Sequence, residues 1–143
     1  EKEKINFIIE NLFPSPKKRH SINCTLEEMR ELMNLVPKNV GFLLDLGHLN
    51  VSSVILDFDR KNIFNKILKE FGNRIKEVHI SENRGLKDEH LAVKNGSWQL
   101  EAIKEINSLQ TSSSEEIIYC IEARNASEKE LKNSRDLINN IIA

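Results

Sequence analysis

The chain has little cysteine: two residues, Cys24 and Cys120, lie far apart. They fit neither a zinc-ribbon spacing nor a disulfide framework, so a reducing cytoplasm is the expected compartment. Charge of one sign is also missing, since 21 Lys and Arg face 22 Asp and Glu for a net charge of -1. That balance carries no basic footprint for nucleic acid, although a local patch would escape a whole-chain count. No apolar run approaches a bilayer span and no signal-peptide pattern opens the chain, so no membrane partner is expected. A starting methionine is absent as well. The chain opens on Glu1 with a strand-like segment close behind, which suggests a fragment or a trimmed chain.

What remains is an ordinary globular composition. With 143 residues, 39% hydrophobic and 30% charged, the chain is one domain (residues 1–143) or part of one, with enough apolar material for a core. Four β-prone runs stand out, near residues 5–10, 40–45, 75–80 and 117–122. Val40 to Leu44 carries no charge and stops on Asp45-Leu46-Gly47-His48, which reads as a strand buried on both faces. Helical patterns separate the runs. Thr25 and Glu28 form a capping box ahead of Leu26, Met29, Met33 and Val36, with Pro37 as the stop. Ile63, Ile67 and Phe71 recur four apart up to Gly72, and Leu100, Ile103 and Ile106 mark a third helix from about Gln99 to Leu109. Ser127 and Glu130 cap a last one. The segment after Asp45 through Ser52-Ser53 reads as a loop, Ser81 to Gly96 as a long charged loop, and Thr111 to Ser114 as a polar turn. Strands alternating with helices predict an α/β fold with a parallel sheet and its helices outside.

In such a sheet the carboxyl ends of the strands share one edge, and that edge makes the site. All four predicted strands deliver a ligand-type residue there: Glu10, Asp45, His79 and Glu122. Three carboxylates in one place repel and favour protonation, a penalty that a bound cation removes. Three oxygens and one imidazole suit a borderline divalent ion such as Mn, Zn, Co or Fe, and Mg less well. His48, Asp88 and His90 form a second cluster, either for another metal or for the hydroxyls of a substrate. Taken singly, each of these residues has a bland reading as a helix cap or a solvated loop group. Lys17-Lys18-Arg19-His20 is likewise a solvated basic turn, or a contact for an anionic substrate group. Cys120 reads as a small buried apolar residue on the side of Glu122.

The set Ile9-Glu10-Asn11, Leu44-Asp45-Leu46-Gly47-His48, Val78-His79-Ile80-Ser81-Glu82-Asn83, Asp88-Glu89-His90-Leu91 and Ile121-Glu122 resembles the xylose isomerase-like TIM barrel superfamily. That group includes sugar phosphate isomerases and epimerases, inosose dehydratases and the endonuclease IV group of apurinic endonucleases. The resemblance implies that Glu10, Asp45, His79 and Glu122 bind the metal and that Glu10 and Glu122 are the paired acid/base groups. It implies that His48 binds substrate or a second metal, with Asp88 and His90 as the remaining ligands of that metal. Asn11 and Lys17 join His48 as expected substrate contacts. The family usually has Asp where Glu82 stands, and Gly at the place of Lys94.

Such a barrel needs eight strands, and the pattern here matches its last four. The resemblance therefore implies four consecutive βα units, the C-terminal half of a TIM (β/α)8 barrel. The expected function is a metal-dependent isomerase or epimerase domain for a sugar or sugar phosphate, with low or absent activity of this half alone. The alternatives are an endonuclease IV-like phosphodiesterase on abasic DNA and a non-enzymatic half-barrel. Open edges predict self-association or a missing N-terminal half-barrel as partner.

Overall fold

The computed structural model describes residues 7–15, 21–110 and 116–143. Four strands form one sheet in the order β1-β2-β3-β4: β1 Ile8–Glu10, β2 Gly41–Asp45, β3 Ile75–Ile80 and β4 Ile118–Ile121. Every neighbouring pair is parallel, as the alternation with helices predicts. The helices are α1 Leu26–Leu35, α2 Leu46–Ile55, α3 Arg60–Phe71, α4 Trp98–Gln110 and α5 Glu128–Ile142. None of those described is long and apolar enough to cross a membrane.

The capping boxes at Thr25/Glu28 and Ser127/Glu130 are both formed, so α1 and α5 start where their sequences signal a start. The stretch after Asp45 through Ser52-Ser53, expected as a loop, is instead part of the helix α2, with Asp45 as its N-cap. Eight of its residues, Leu46 to Ser53, are buried, so the segment shows no apolar stripe against a polar one. The signal it does carry is its cap: the Asp45 side chain accepts the backbone N–H of His48 at 2.7 Å.

Phe42, Leu44, Val78 and Ile80 point to the helix side and pack with Met29, Met33, Phe64, Ile67, Ile103 and Ile106 in a single core. Each such fully buried side chain stabilises the fold by roughly 1.5–3 kcal/mol. Arg74, just before β3, donates to the carbonyls of Met33 at 2.7 Å, Pro37 at 3.1 Å and Val40 at 2.8 Å. It thereby ties the end of α1 to the start of β2.

Side chains on the opposite face fall into rows, because Cα partners in adjacent strands face the same way. One row is Glu10, Leu43, Glu77 and Ile118; the next, nearer the carboxyl rim, is Asp45, His79 and Cys120. A register shift between Phe42 and Leu43 skips Lys76 and brings Leu43 level with Glu77. Glu122 lies one residue beyond β4, with its N–H bonded to the carbonyl of Ile80 at 3.0 Å.

Candidate functional site

Asp45 is the hub of the rim. It is almost completely buried, and the side chain of Asn11 holds its backbone from both ends. Asn11 Nδ2 donates to the Asp45 carbonyl at 3.0 Å, and the Asp45 N–H donates to Asn11 Oδ1 at 2.8 Å. Asn11 was expected beside the substrate; fully buried and committed in this way, it positions Asp45. Gly47 is required by close approach. A Cβ there would strike Ser81 Oγ and come within 3.2 Å of Asp45 Oδ1 and 3.3 Å of Asn83 Nδ2. The run Asp45-Leu46-Gly47-His48 is thus a cap, a tight helix contact and an imidazole delivered one turn later.

The structure brings the four expected ligands to one rim as two triads that share Asp45. In the first, ligand atoms of Asp45, His79 and Glu122 lie within 4.8 Å of one another; in the second, those of Glu10, Asp45 and His48 do. His79 Nδ1 is 3.4 Å from Glu122 Oε1 and 3.9 Å from Asp45 Oδ2. His48 Nδ1 is 3.1 Å from Glu10 Oε1 and 3.7 Å from Asp45 Oδ2, and, carrying its proton, donates to the Asn11 carbonyl at 2.9 Å. The ring of Phe13 lies against that of His48, with centroids 4.8 Å apart.

Electrostatics follow from this crowding. Burial pushes the Asp45 carboxyl up to about 6, against the pull of His48. Burial also works against a charged His48, yet hydrogen bonds to Asp88 and Glu10 and the nearby Asp45 raise it to about 10. The hydrogen bond to His48 holds Glu10 below the usual carboxylate range, overriding its burial.

The donor set fits a divalent cation on one specific ground. His79 Nδ1 is buried and, among the described residues, without a hydrogen-bond partner, and it faces two carboxylates at distances too long for good hydrogen bonds. A cation seated among the three would satisfy all of them. Asp45, His79 and Glu122 could hold it, with Glu10 reaching in from the neighbouring triad.

Asp88 and His90 come from the long loop after β3. That loop is pinned by backbone bonds between Glu82 and Leu91 at 2.8 Å and by Asn83, whose Oδ1 accepts from Gly85 N–H at 2.9 Å and Asn50 Nδ2 at 2.8 Å. Asp88 Oδ2 stands between two imidazoles, 2.5 Å from His90 Nε2 and 3.6 Å from His48 Nε2. His90 is anchored in turn by Nδ1 at 2.7 Å from the Glu122 carbonyl. His48, Asp88 and His90 therefore form a chain of pairwise contacts beside the first cluster. Asp88 Oδ1 is a further buried atom without a partner among the described residues. Lys17 lies outside the described residues.

One contact was missed in the sequence. Glu77 Oε1 is 2.9 Å from His79 Nε2, and the signal for it was available: residues two apart in a strand share a face.

The parallel βα units and this rim define a barrel-type α/β protein with its site at the carboxyl ends of the strands. A family model, xylose isomerase-like TIM barrel, matches residues 1–141. The chain belongs to that family. The uncharacterized protein MJ1311 of Methanocaldococcus jannaschii is 32% identical in an alignment of 96 residues that covers 64% of this chain and 31% of that protein. The crystal structure of a D-tagatose 3-epimerase-like protein matches 96% of this chain at a TM-score of 0.70 and 22% identity, and 47% of that protein is covered. The chain thus spans about a third of the one and about half of the other, and its fold is half of a TIM barrel.

Proposed function

We propose that the chain is part of a metal-dependent isomerase or epimerase acting on a sugar or sugar phosphate. The observation that carries this is the orphaned Nδ1 of His79 between the carboxylates of Asp45 and Glu122. Membership of the xylose isomerase-like family and the fold shared with an epimerase-like protein support the same reading. Mn, Zn, Co or Fe suits the donors better than Mg. A divalent ion bound there would polarise a substrate carbonyl and the adjacent hydroxyl.

The chain's own groups would supply the rest. Glu10 and Glu122 stand on opposite outer positions of the rim, at the ends of the two edge strands. One removes the proton from the carbon beside the carbonyl and the other returns one on the opposite side. Glu10 is kept ionised by His48 and so is free to accept a proton, at some cost in basicity. His48, Asp88 and His90 offer hydrogen-bonding groups to the substrate hydroxyls, and Phe13 shields His48 on one side. The pocket is completed by the other half of the barrel, placed N-terminal to these four units. The isolated chain has low activity or none.

The test is proton exchange. The metal-loaded protein, extended to a complete barrel, should incorporate solvent deuterium beside the carbonyl of a ketose, and Glu10→Gln and Glu122→Gln should each abolish it. Absence of exchange across ketoses and aldoses would falsify the reading. The Asp88 bridge between His48 and His90 favours a second one, a metal-dependent phosphodiesterase on abasic DNA. Chelator-sensitive nicking of an abasic duplex would put it first.

A further inference from the structure

The imidazole of His79 has a different environment on each nitrogen. On one side Nδ1 faces Glu122 Oε1 at 3.4 Å and Asp45 Oδ2 at 3.9 Å, buried and without a hydrogen bond among the described residues. On the other side Nε2 meets Glu77 Oε1 at 2.9 Å, within good hydrogen-bond distance. A neutral imidazole carries one proton, so the two sides compete for it. Two carboxylates pull it toward Nδ1, where it would block a cation. One carboxylate, closer and better placed, pulls it toward Nε2.

We infer that Glu77 is a positioning residue: its carboxylate holds the His79 proton on Nε2 and leaves the Nδ1 lone pair aimed between Asp45 and Glu122. The inference rests on the metal reading of that triad. Ligating histidines are commonly fixed this way, the second ring nitrogen donating to a carboxylate that sets the tautomer and raises ligand basicity. The fold supplies the geometry at no further cost. Glu77 and His79 lie two apart on β3 and therefore on one face of the sheet, and Leu43 and Ile118 flank Glu77 in its row.

A rival use of the same atoms exists. Ligand atoms of Glu77, His79 and Cys120 lie within 4.8 Å of one another and could themselves surround a cation. That arrangement needs the lone pair on Nε2, hence the proton on Nδ1, the opposite tautomer. The hydrogen-bond distance at Nε2 and the orphaned Nδ1 favour positioning.

Long-range proton–nitrogen correlation spectra of the whole, histidine-labelled chain read the tautomer directly, and zinc titration reads the affinity. In the metal-free wild type His79 should show a protonated Nε2 and a bare Nδ1. Glu77→Ala should move the proton toward Nδ1 and weaken zinc binding about 10- to 100-fold. Glu77→Gln, which keeps an acceptor oxygen, should restore the tautomer and most of the affinity, and Cys120→Ser should change neither. A wild type that takes up no zinc overturns the metal reading itself. A wild type that binds zinc with His79 protonated on Nδ1, or a Glu77→Ala chain that binds it as tightly, overturns the role of Glu77 alone. So does a thiolate-to-metal charge-transfer band on cobalt loading, which would mark the Cys120 cluster as the site.

Discussion

Asp45 and His48 meet twice: the His48 backbone N–H donates to Asp45 Oδ1 at 2.7 Å, and the His48 ring nitrogen Nδ1 stands 3.7 Å from Asp45 Oδ2. One carboxylate oxygen thus closes the first turn of α2, and the other faces the rim. The two uses separate by substitution. Asn caps a helix as well as Asp does, so Asp45→Asn should keep the cap and lose the anionic oxygen. Zinc binding should fall sharply while the urea midpoint of the metal-free chain changes little. Asp45→Ala loses both, and the missing cap should cost about 1 kcal/mol. Equal destabilisation by the two variants would show that Oδ1 does not act as the cap.

The same pair sets a pH dependence. The Asp45 carboxyl is raised by burial from 3.8 to about 6, so the folded chain binds more protons than the unfolded one between those values. Its contribution to stability is complete below 3.8 and is lost as pH rises through about 6. His48, raised from 6.5 to about 10 by Asp88, Glu10 and Asp45 against its own burial, contributes stability that is complete below 6.5 and lost as pH rises through about 10. A cation needs the Asp45 carboxylate, so zinc affinity should climb with pH through about 6 and uptake should release protons. Calorimetry in buffers of different ionisation heat measures that release. In metal-free denaturation series, His48→Gln should flatten the alkaline slope.

Asn11 joins β1 to β2 through the backbone of Asp45, with bonds of 3.0 and 2.8 Å. Asn11→Ala would leave a buried N–H and a buried carbonyl without partners, each worth about 1–3 kcal/mol. The variant should therefore lose several kcal/mol and melt well below the wild type. A small loss, under about 1 kcal/mol, would mean that water replaces the amide.

Gly47 sets two magnitudes against each other. In a helix, Gly→Ala ordinarily stabilises by about 1 kcal/mol, whereas overfilling a packed site costs about 1–3 kcal/mol. A Cβ at Gly47 collides with Ser81 Oγ and crowds Asp45 Oδ1 at 3.2 Å, so Gly47→Ala should destabilise and weaken zinc binding together. Adding Ser81→Ala removes the collision and should recover part of the stability. A stabilised Gly47→Ala chain would show that the contact relaxes freely.

The parts of this fold that were legible in the sequence are those with local signatures. Thr25/Glu28 and Ser127/Glu130 announce their helices, and the uncharged run before Asp45 announces a buried strand. α2 was not legible because burial from Leu46 to Ser53 erases the polar stripe that identifies a helix. The rim residues Glu10, Asp45, His79 and Glu122 were legible because parallel strands must end on one edge. Their division into two triads sharing Asp45 was not, since it depends on side-chain direction. Asn11 shows the limit best: a polar residue beside a site residue reads as a ligand contact, and only the register of β1 on β2 reveals a backbone clamp.

β1 and β4 are the two edges of the sheet, and the face carrying Glu77 also presents Ile118, which is 62% exposed. Phe7, beside β1, is 65% exposed. Unpaired strand edges with apolar side chains invite another chain, and a lysine on such an edge discourages it. We propose that the isolated chain associates with a second copy across this open side, in the place that the remaining half of a barrel would occupy. Sedimentation of the wild type should then show a mass that rises with concentration. Ile118→Lys should shift it toward the monomer. A wild type that remains monomeric at every concentration would refute self-association.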